Sequence, residues 1–506
     1  MAGKMLQFVY LDQQLPNKRP VEARRTDFSE IYEGFPADRA GAQASRCEQC
    51  GIPFCQTHCP LSNNIPDWLM LTASGRMEEA YALAAATNDF PEITGRICPQ
   101  DRLCEGACVL EQSRHRAVTI GAVERHIADT AFAKGWVQPV QPIAERTQSV
   151  GIIGAGPAGL AAAGQLRALG YQVDVYDRYD RGGGLLIYGI PSFKLEKAIV
   201  LRRVELLRAA GVRFHVRCEV GRDVSLAELR CRHAAVLIAT GVYKARTLNV
   251  LGSRVKGVHP ALAYLTASNR KGLDDSVSSF DNGALNAAGK RVVVIGGGDT
   301  AMDCVRTAIR QNAISVKCLY RRDRGNMPGS QLEVANATEE GVEFIWLAAP
   351  EAILSGTTDQ IVGGVRALRM ELGAADASGR QEPRSRDGAS FTEPADLVLT
   401  ALGFDPEDLP VVFGEPGLGL TARGTVRVDP RTGMTTLDGV FAAGDIVRGA
   451  SLVVWAICDG RLAAAGMHAY LTALETRETR EHRPSVVPVT TTRLTTEQDS
   501  LAIGHL

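Results

Sequence analysis

Residues 149–177, "SVGIIGAGPAGLAAAGQLRALGYQVDVYD", run from an apolar β-branched stretch through a glycine turn into an Ala/Leu-rich segment and out into a second apolar stretch. That order is strand, turn, helix, strand, the grammar of a βαβ unit. Gly154, Gly156 and Gly159 form GxGxxG at the turn. The first glycine permits a tight turn, the second lets backbone approach a pyrophosphate, and the third lets helix pack on strand. Pro157 and Ala158 open the helix, whose N–H groups face the phosphates. Asp177 ends the second strand 23 positions after Gly154, where an acid can bind a ribose hydroxyl.

The pattern recurs at 290–322, "KRVVVIGGGDTAMDCVRTAIRQNAISVKCLYRR". Gly296, Gly298 and Ala301 give GxGxxA, with Asp299 and Thr300 at the helix start. Two such units predict two doubly wound α/β domains. The second unit's returning strand ends in Arg321 and Arg322 rather than an acid, which favours a 2′-phosphate and so NADPH over NADH. A solvated basic turn would look the same.

Two further stretches, "AAVLIATG" with Ala239, Thr240 and Gly241, and "GVFAAGDIVRGASLVVWAICDGRLAAA" with Gly444 and Asp445, resemble the later sequence marks of the two-dinucleotide-binding flavoproteins. The resemblance implies FAD at the first loop, with Asp445 on the ribityl chain. It also implies that Gly184, Leu185 and Val453 line the cofactor. The second unit lies between the halves of this pattern, so a nicotinamide domain inserted into an FAD domain is expected. A disulfide reductase would need a CxxC or CxxxxC pair by the flavin or in the nicotinamide domain, and Cys304 has no such partner.

Seven of the twelve cysteines precede the first unit: Cys47, Cys50, Cys55 and Cys59 in "RCEQCGIPFCQTHCP", then Cys98, Cys104 and Cys108 in "CPQDRLCEGAC". Between them the chain is rich in Ala, Leu, Met and Glu at helical spacing. One CxxC alone misses the usual zinc template, while a four-cysteine run ending in Cys-Pro suits iron–sulfur clusters. Zinc, disulfides and bystander thiols remain open on spacing alone. NADPH delivers electrons in pairs, a cluster takes one, and a flavin handles both, so the three together form an electron converter. Two four-ligand clusters need one ligand more than seven cysteines supply, and Glu124 or His126 can provide it.

The cysteine spacing, with "GAGPAGL", "GGLLIYGIPSFKL", "GGGDTAMDC", "YRRDRGNMPG" and "FAAGDIVRGASLVVWAI", resembles the small subunit of bacterial NADPH-dependent glutamate synthase and the amino-terminal part of dihydropyrimidine dehydrogenase. The resemblance implies two 4Fe-4S clusters, one on Cys47, Cys50, Cys55 and Cys108, the other on Cys59, Cys98, Cys104 and a non-cysteine ligand matching Glu124. It implies NADPH oxidation at FAD and electron delivery to a large FMN-containing subunit that makes glutamate from glutamine and 2-oxoglutarate. Hydride passes directly from nicotinamide to flavin, so no protein acid or base is expected in catalysis. A stand-alone NADPH:ferredoxin-type oxidoreductase and a non-catalytic zinc-bearing scaffold are the rival readings.

The expected fold is α/β: a helical iron–sulfur domain at 1–146, FAD domain at 147–287, NADPH domain at 288–430, the rest of the FAD domain at 431–476, and a mobile polar tail at 477–506. A net charge of -1 offers no general attraction to nucleic acid or anionic membrane. Without an apolar leader or a membrane-length apolar run, the expected location is cytoplasmic.

Overall fold

The computed structural model describes residues 6–356, 361–376 and 381–481. The first glycine loop opens a five-stranded parallel sheet ordered Val440–Ala442, Ala235–Ile238, Ser149–Ile153, Gln172–Asp177, Arg213–Val216. Four of its strands are almost wholly buried, as expected where helices cover both faces, while the edge strand Arg213–Val216 alternates between exposed and half-buried residues. Gly154 takes φ +108 at the strand end, and a Cβ there would lie 2.4 Å from the Ala239 carbonyl oxygen.

The second loop opens another parallel sheet, ordered Val258–Pro260, Leu397–Thr400, Arg291–Ile295, Ser315–Tyr320, Glu343–Trp346. A three-stranded antiparallel sheet, Ala348–Ser355, Val362–Ala375 and Gln381–Pro394, is attached to it. The chain crosses between the two domains at Lys244–Ala245 and Phe404–Asp405, which pair antiparallel. The domain limits therefore differ from those expected. Val258–Pro260 and helix Ala261–Lys271 belong to the second sheet and its core, well before 288. Leu409, Phe413, Leu418 and Val426 pack in the first domain's core, well before 431. Short strands and loops without glycine fingerprints carried both boundaries, so local pattern could not locate them.

The N-terminal segment folds as helices around Ile120–Ala133, with Trp68, Leu69, Val123 and Ile127 in its core. It is not a separate body. Leu61, Phe90 and Ile93 join the core of the first nucleotide domain beside Val150, Leu166 and Ile457. Glu92, wholly buried, takes a bidentate pair of hydrogen bonds from Arg203 at 2.7 and 2.8 Å across that junction. A second buried charge group joins this segment to the other domain. Arg306 and Arg310 both bond Glu340, Arg24 approaches it at 3.7 Å, and Phe193 lies against the two domain arginines.

Helix Val453–Glu481 packs along helix Pro157–Ala168 so closely that a Cβ on Gly460 would lie 2.2 Å from the Ala158 carbonyl oxygen. The tail expected at 477–506 lies outside the described residues beyond that helix's end at Glu481. Among the described residues no helix is long and apolar enough to cross a membrane.

Gly460→Ala should destabilise the chain by about 2 kcal/mol, since backbone rather than a side chain must yield; a urea titration measures it. His233 gives a pH signature. It is buried against Gly151, bonded to Ser149 Oγ and Tyr176 Oη at 3.0 Å each, and burial lowers its pKa. The folded chain keeps the ring neutral while the unfolded chain gains a proton as pH falls through about 6.5, so this stability is present above that pH and lost below it. Replacing His233 with Gln should flatten the fall in unfolding free energy between about pH 7 and 5.

Candidate redox site

The residues expected at the first loop come together around one cavity. Gly154, Gly156, Pro157, Ala158, Asp177, Leu185, Ala239, Thr240, Gly241, Gly444, Asp445 and Val453 all line it. Gly159 and Gly184 act from behind: a Cβ on Gly159 would lie 2.0 Å from the Gly154 carbonyl oxygen, and one on Gly184 2.8 Å from Gly156 Cα. A Cβ at Gly156 would meet nothing within 4 Å, leaving room beside the helix N-terminus for a phosphate group. Thr240 Oγ1 is buried without a hydrogen-bond partner. An orphaned hydroxyl in a glycine-lined cleft fits a polar ligand such as a dinucleotide.

Asp177 bonds the backbone N–H groups of Ala155 at 2.7 Å and Tyr179 at 2.8 Å, so it braces the loop as well as facing the cavity. Burial raises its pKa and that of Asp445, whose carboxylate accepts from Ser451 Oγ at 2.9 Å. An adjoining cleft is lined by Arg178, Tyr179, Tyr243 and Glu407, residues that sequence reasoning missed. Arg178 follows the Asp177 signal directly; Tyr243 and Glu407 carry none. Arg178 bonds Glu407 at 3.0 Å and lies over the Tyr243 ring.

At the second loop, Gly296 has φ +151 and a Cβ would lie 2.4 Å from the Ala401 carbonyl oxygen, whereas the space beside Gly298 is open. Ala301 is fully buried, Thr300 half-buried, and Asp299 accepts the Ser330 N–H at 2.9 Å. The two arginines part company. Arg321 is exposed, while Arg322 is buried and donates Nε to the Gln381 carbonyl at 2.8 Å, so the 2′-phosphate expectation rests mainly on Arg321.

The seven N-terminal cysteines divide between two cavities. Cys47, Cys50, Cys55 and Cys108 line one; Cys59, Cys98, Cys104 and Glu124 line the other. Ile120 lines both. Burial pushes the Cys47 thiol up to about 11 and Cys55 to about 12, and raises Cys98 and Cys104 well above the ordinary thiol value. Such thiols ionise readily only when a metal centre takes up the charge, which is the chemistry of a cluster-binding set. Among the described residues no three His, Cys, Asp or Glu groups converge on a single-ion position.

Glu124 is buried, with its pKa pushed up to about 7 by desolvation. Asn63 and Asn88 donate to Oε1 at 3.1 Å each and Thr94 to Oε2 at 3.0 Å. Three donors aim the carboxylate and leave a lone pair on Oε2. His126 instead places Nδ1 3.0 Å from the Phe35 carbonyl oxygen and does not line the cavity. Asn63, Asn88 and Thr94 are ordinary residues scattered along the chain, and nothing in the sequence signalled them.

The three cavities adjoin in turn. Val453 lines the first-loop cavity and its neighbour Val454 lines the Cys59 cavity. Beyond Ile120 comes the Cys47 cavity, lined by Phe54 and Val109, which reach the surface beside exposed Ile52.

Residues 24–136 match the family described as dihydropyrimidine dehydrogenase domain II, 4Fe-4S cluster, and residues 148–460 match the pyridine nucleotide-disulphide oxidoreductases. The glutamate synthase (NADPH) small chain of Azospirillum brasilense is 66% identical over 470 residues, covering 93% of this chain and 97% of the relative. The chain belongs to the glutamate synthase small-chain family. A family relative of different name, the putative oxidoreductase AegA of Escherichia coli (strain K12), is 46% identical over 89% of this chain and 69% of its own. FprA of Mycobacterium tuberculosis matches with a TM-score of 0.55 at 20% identity, over 66% of this chain and 86% of that one, a likeness of fold. Within the small-chain family's oxidoreductase scaffold, Cys304 is buried with its thiol toward the Ala261 carbonyl.

Because nothing crowds the Cβ position at Gly298, Gly298→Val should leave stability within about 0.5 kcal/mol of the parent. Flavin content should be unchanged and NADP+ affinity at least about tenfold lower, read by titrating the flavin spectrum.

Proposed function

We propose that the chain is the NADPH-oxidising, electron-input subunit of a glutamate synthase, holding FAD and two 4Fe-4S clusters and serving a large FMN-containing subunit that makes glutamate from glutamine and 2-oxoglutarate. The observation that carries it is the unbroken row of the first-loop cavity, the Cys59–Cys98–Cys104–Glu124 cavity and the Cys47–Cys50–Cys55–Cys108 cavity. FAD, when bound, would supply the exchange between the electron pair of a hydride and single electrons.

The residues hold and orient. Gly154, Gly156 and the N-terminus of helix Pro157–Ala168 suit the FAD pyrophosphate, Asp177 the ribose and Asp445 the ribityl chain. Gly296, Gly298 and the start of helix Asp299–Arg310 suit the pyrophosphate of NADPH, and Arg321 its 2′-phosphate. No side chain is asked to move a proton, because hydride transfer needs stacking geometry only. The Cys59 set stands beside the cavity that would hold FAD, divided from it by Val453 and Val454. The Cys47 set stands at the exit, where Ile52, at 67% exposed, Phe54 and Val109 offer an apolar surface suited to a protein partner.

Anaerobic protein reduced with dithionite should show two cluster signals in paramagnetic resonance. Cys47→Ser and Cys59→Ser should each lose about half the iron while keeping the flavin. With NADPH, Cys59→Ser should bleach its flavin but leave the remaining cluster oxidised. Bound zinc in place of iron by metal analysis, or full iron in both variants, defeats the proposal. Glu124→Ala retaining both clusters defeats the Glu124 assignment. The alternative is a stand-alone NADPH:ferredoxin-type oxidoreductase; co-purification with an FMN protein separates the two readings.

A further inference from the structure

Between Cys98 and Cys104 the chain makes a tight turn. The Gln100 carbonyl accepts the N–H groups of Leu103 at 3.1 Å, Glu105 at 2.9 Å and Gly106 at 3.1 Å. A Cβ on Gly106 would lie 2.0 Å from the Asp101 carbonyl oxygen, so the turn has one tight form. It turns Asp101 and Arg102 outward, both exposed, and Arg102 Nη1 donates to the Pro328 carbonyl at 2.8 Å. That bond reaches from the cysteine-rich module into the second nucleotide domain.

Pro328 belongs to the segment that folds over the second glycine loop. The Gly329 N–H donates to the Gly297 carbonyl at 3.0 Å, and the Ser330 N–H to the Asp299 carboxylate at 2.9 Å. A Cβ on Gly329 would lie 3.4 Å from the Gly298 carbonyl carbon. Arg102 is thereby tethered at the edge of the loop beside the open Gly298 position. The local charge explains what it does there. Asp299 and Asp303 occupy the first turns of the helix, and Asp101 lies near Asp299: desolvation raises its pKa and the Asp299 charge adds to the rise. Lys194 is held by Asp303 at 3.0 Å and Glu333 at 3.5 Å. A pyrophosphate entering among these carboxylates needs a cation, and a guanidinium with one of its five N–H groups on Pro328 has four left.

We propose that Arg102, a residue of the cysteine-rich module, binds the pyrophosphate of NADP(H) at the second glycine loop, so that the module completes the nicotinamide nucleotide site. This rests on the NADPH reading of that loop. The module then contributes to electron entry as well as to electron exit.

The experiment compares holoprotein with Arg102→Gln and Arg102→Lys by titrating NADP+ against the flavin spectrum, which needs no turnover. Arg102→Gln should bind NADP+ about tenfold more weakly and raise KM for NADPH and NADH by the same factor, with kcat little changed. Equal factors mark the pyrophosphate common to both nucleotides. Arg102→Lys should recover part of the affinity, and paramagnetic signals of the clusters should match the parent in both variants. Unchanged affinity in Arg102→Gln overturns the proposal. So does a loss confined to NADPH, which would move the guanidinium to the 2′-phosphate, or an equal loss in Arg102→Lys with altered cluster signals, which would make the role that of shaping the turn. Parent protein that takes no NADP+ defeats the NADPH reading itself, and the proposal with it.

Discussion

The contact of helix Val453–Glu481 with helix Pro157–Ala168, where Gly460 lies on the Ala158 backbone, sets how the first-loop cavity stands against the thiols. With a side chain at position 460 the helix would have to lift, carrying Val453 and Val454 with it. Because these neighbours line two different cavities, one peptide unit is enough to span the wall between them. Further along, the same helix reaches the cysteine-rich module: Arg461 bonds Asp89 at 2.9 Å and the Ala86 carbonyl at 3.0 Å. The spacing of the redox row is therefore a property of helix packing, and the shared core around Leu61, Phe90 and Ile93 holds it.

The second domain is tied in by charge. Arg306, Arg310 and Glu340 have fully buried side chains, and Arg24 comes to them from the N-terminal segment. A buried group of this kind adds little over a well-packed apolar contact, yet removing one partner costs about 3–5 kcal/mol because a charge is left unpaired. It also demands one geometry. Phe193 lies against both domain arginines and Lys194 is paired to Asp303, so the first domain's "GIPSFKL" loop is held at the same junction. The two nucleotide domains and the cysteine-rich module are thus brought into a single arrangement by these charged side chains together with the shared apolar core around Leu61, Phe90 and Ile93.

Much of this was legible in the chain. Both glycine loops stand at strand–helix turns because each residue answers a local demand: positive φ at Gly154, open space at Gly156 and Gly298, close packing at Gly159 and Ala301. Local demands leave local marks. The domain limits were misjudged because Val258–Pro260 is a three-residue strand whose membership in the second sheet depends on a partner far along the chain, Leu397–Thr400. Arg321 and Arg322 read alike as neighbours, but one meets solvent and the other the Gln381 carbonyl.

From sequence alone came the two nucleotide folds and the set of seven thiols, since each is written in spacing along a strand, a turn or a short loop; the nesting of one fold in the other came from the resemblance of two later stretches to flavoprotein marks. The chain's resemblance to a known family supplied the expected division of those thiols and the expectation that Glu124 is a ligand. What only the tertiary structure decided is adjacency: the Cys59 cavity against the first-loop cavity, Glu124 aimed by Asn63, Asn88 and Thr94, and Arg102 reaching Pro328 across 226 positions of chain. These contacts join residues with no common periodicity, and packing of separate elements, rather than any local preference, brings them together.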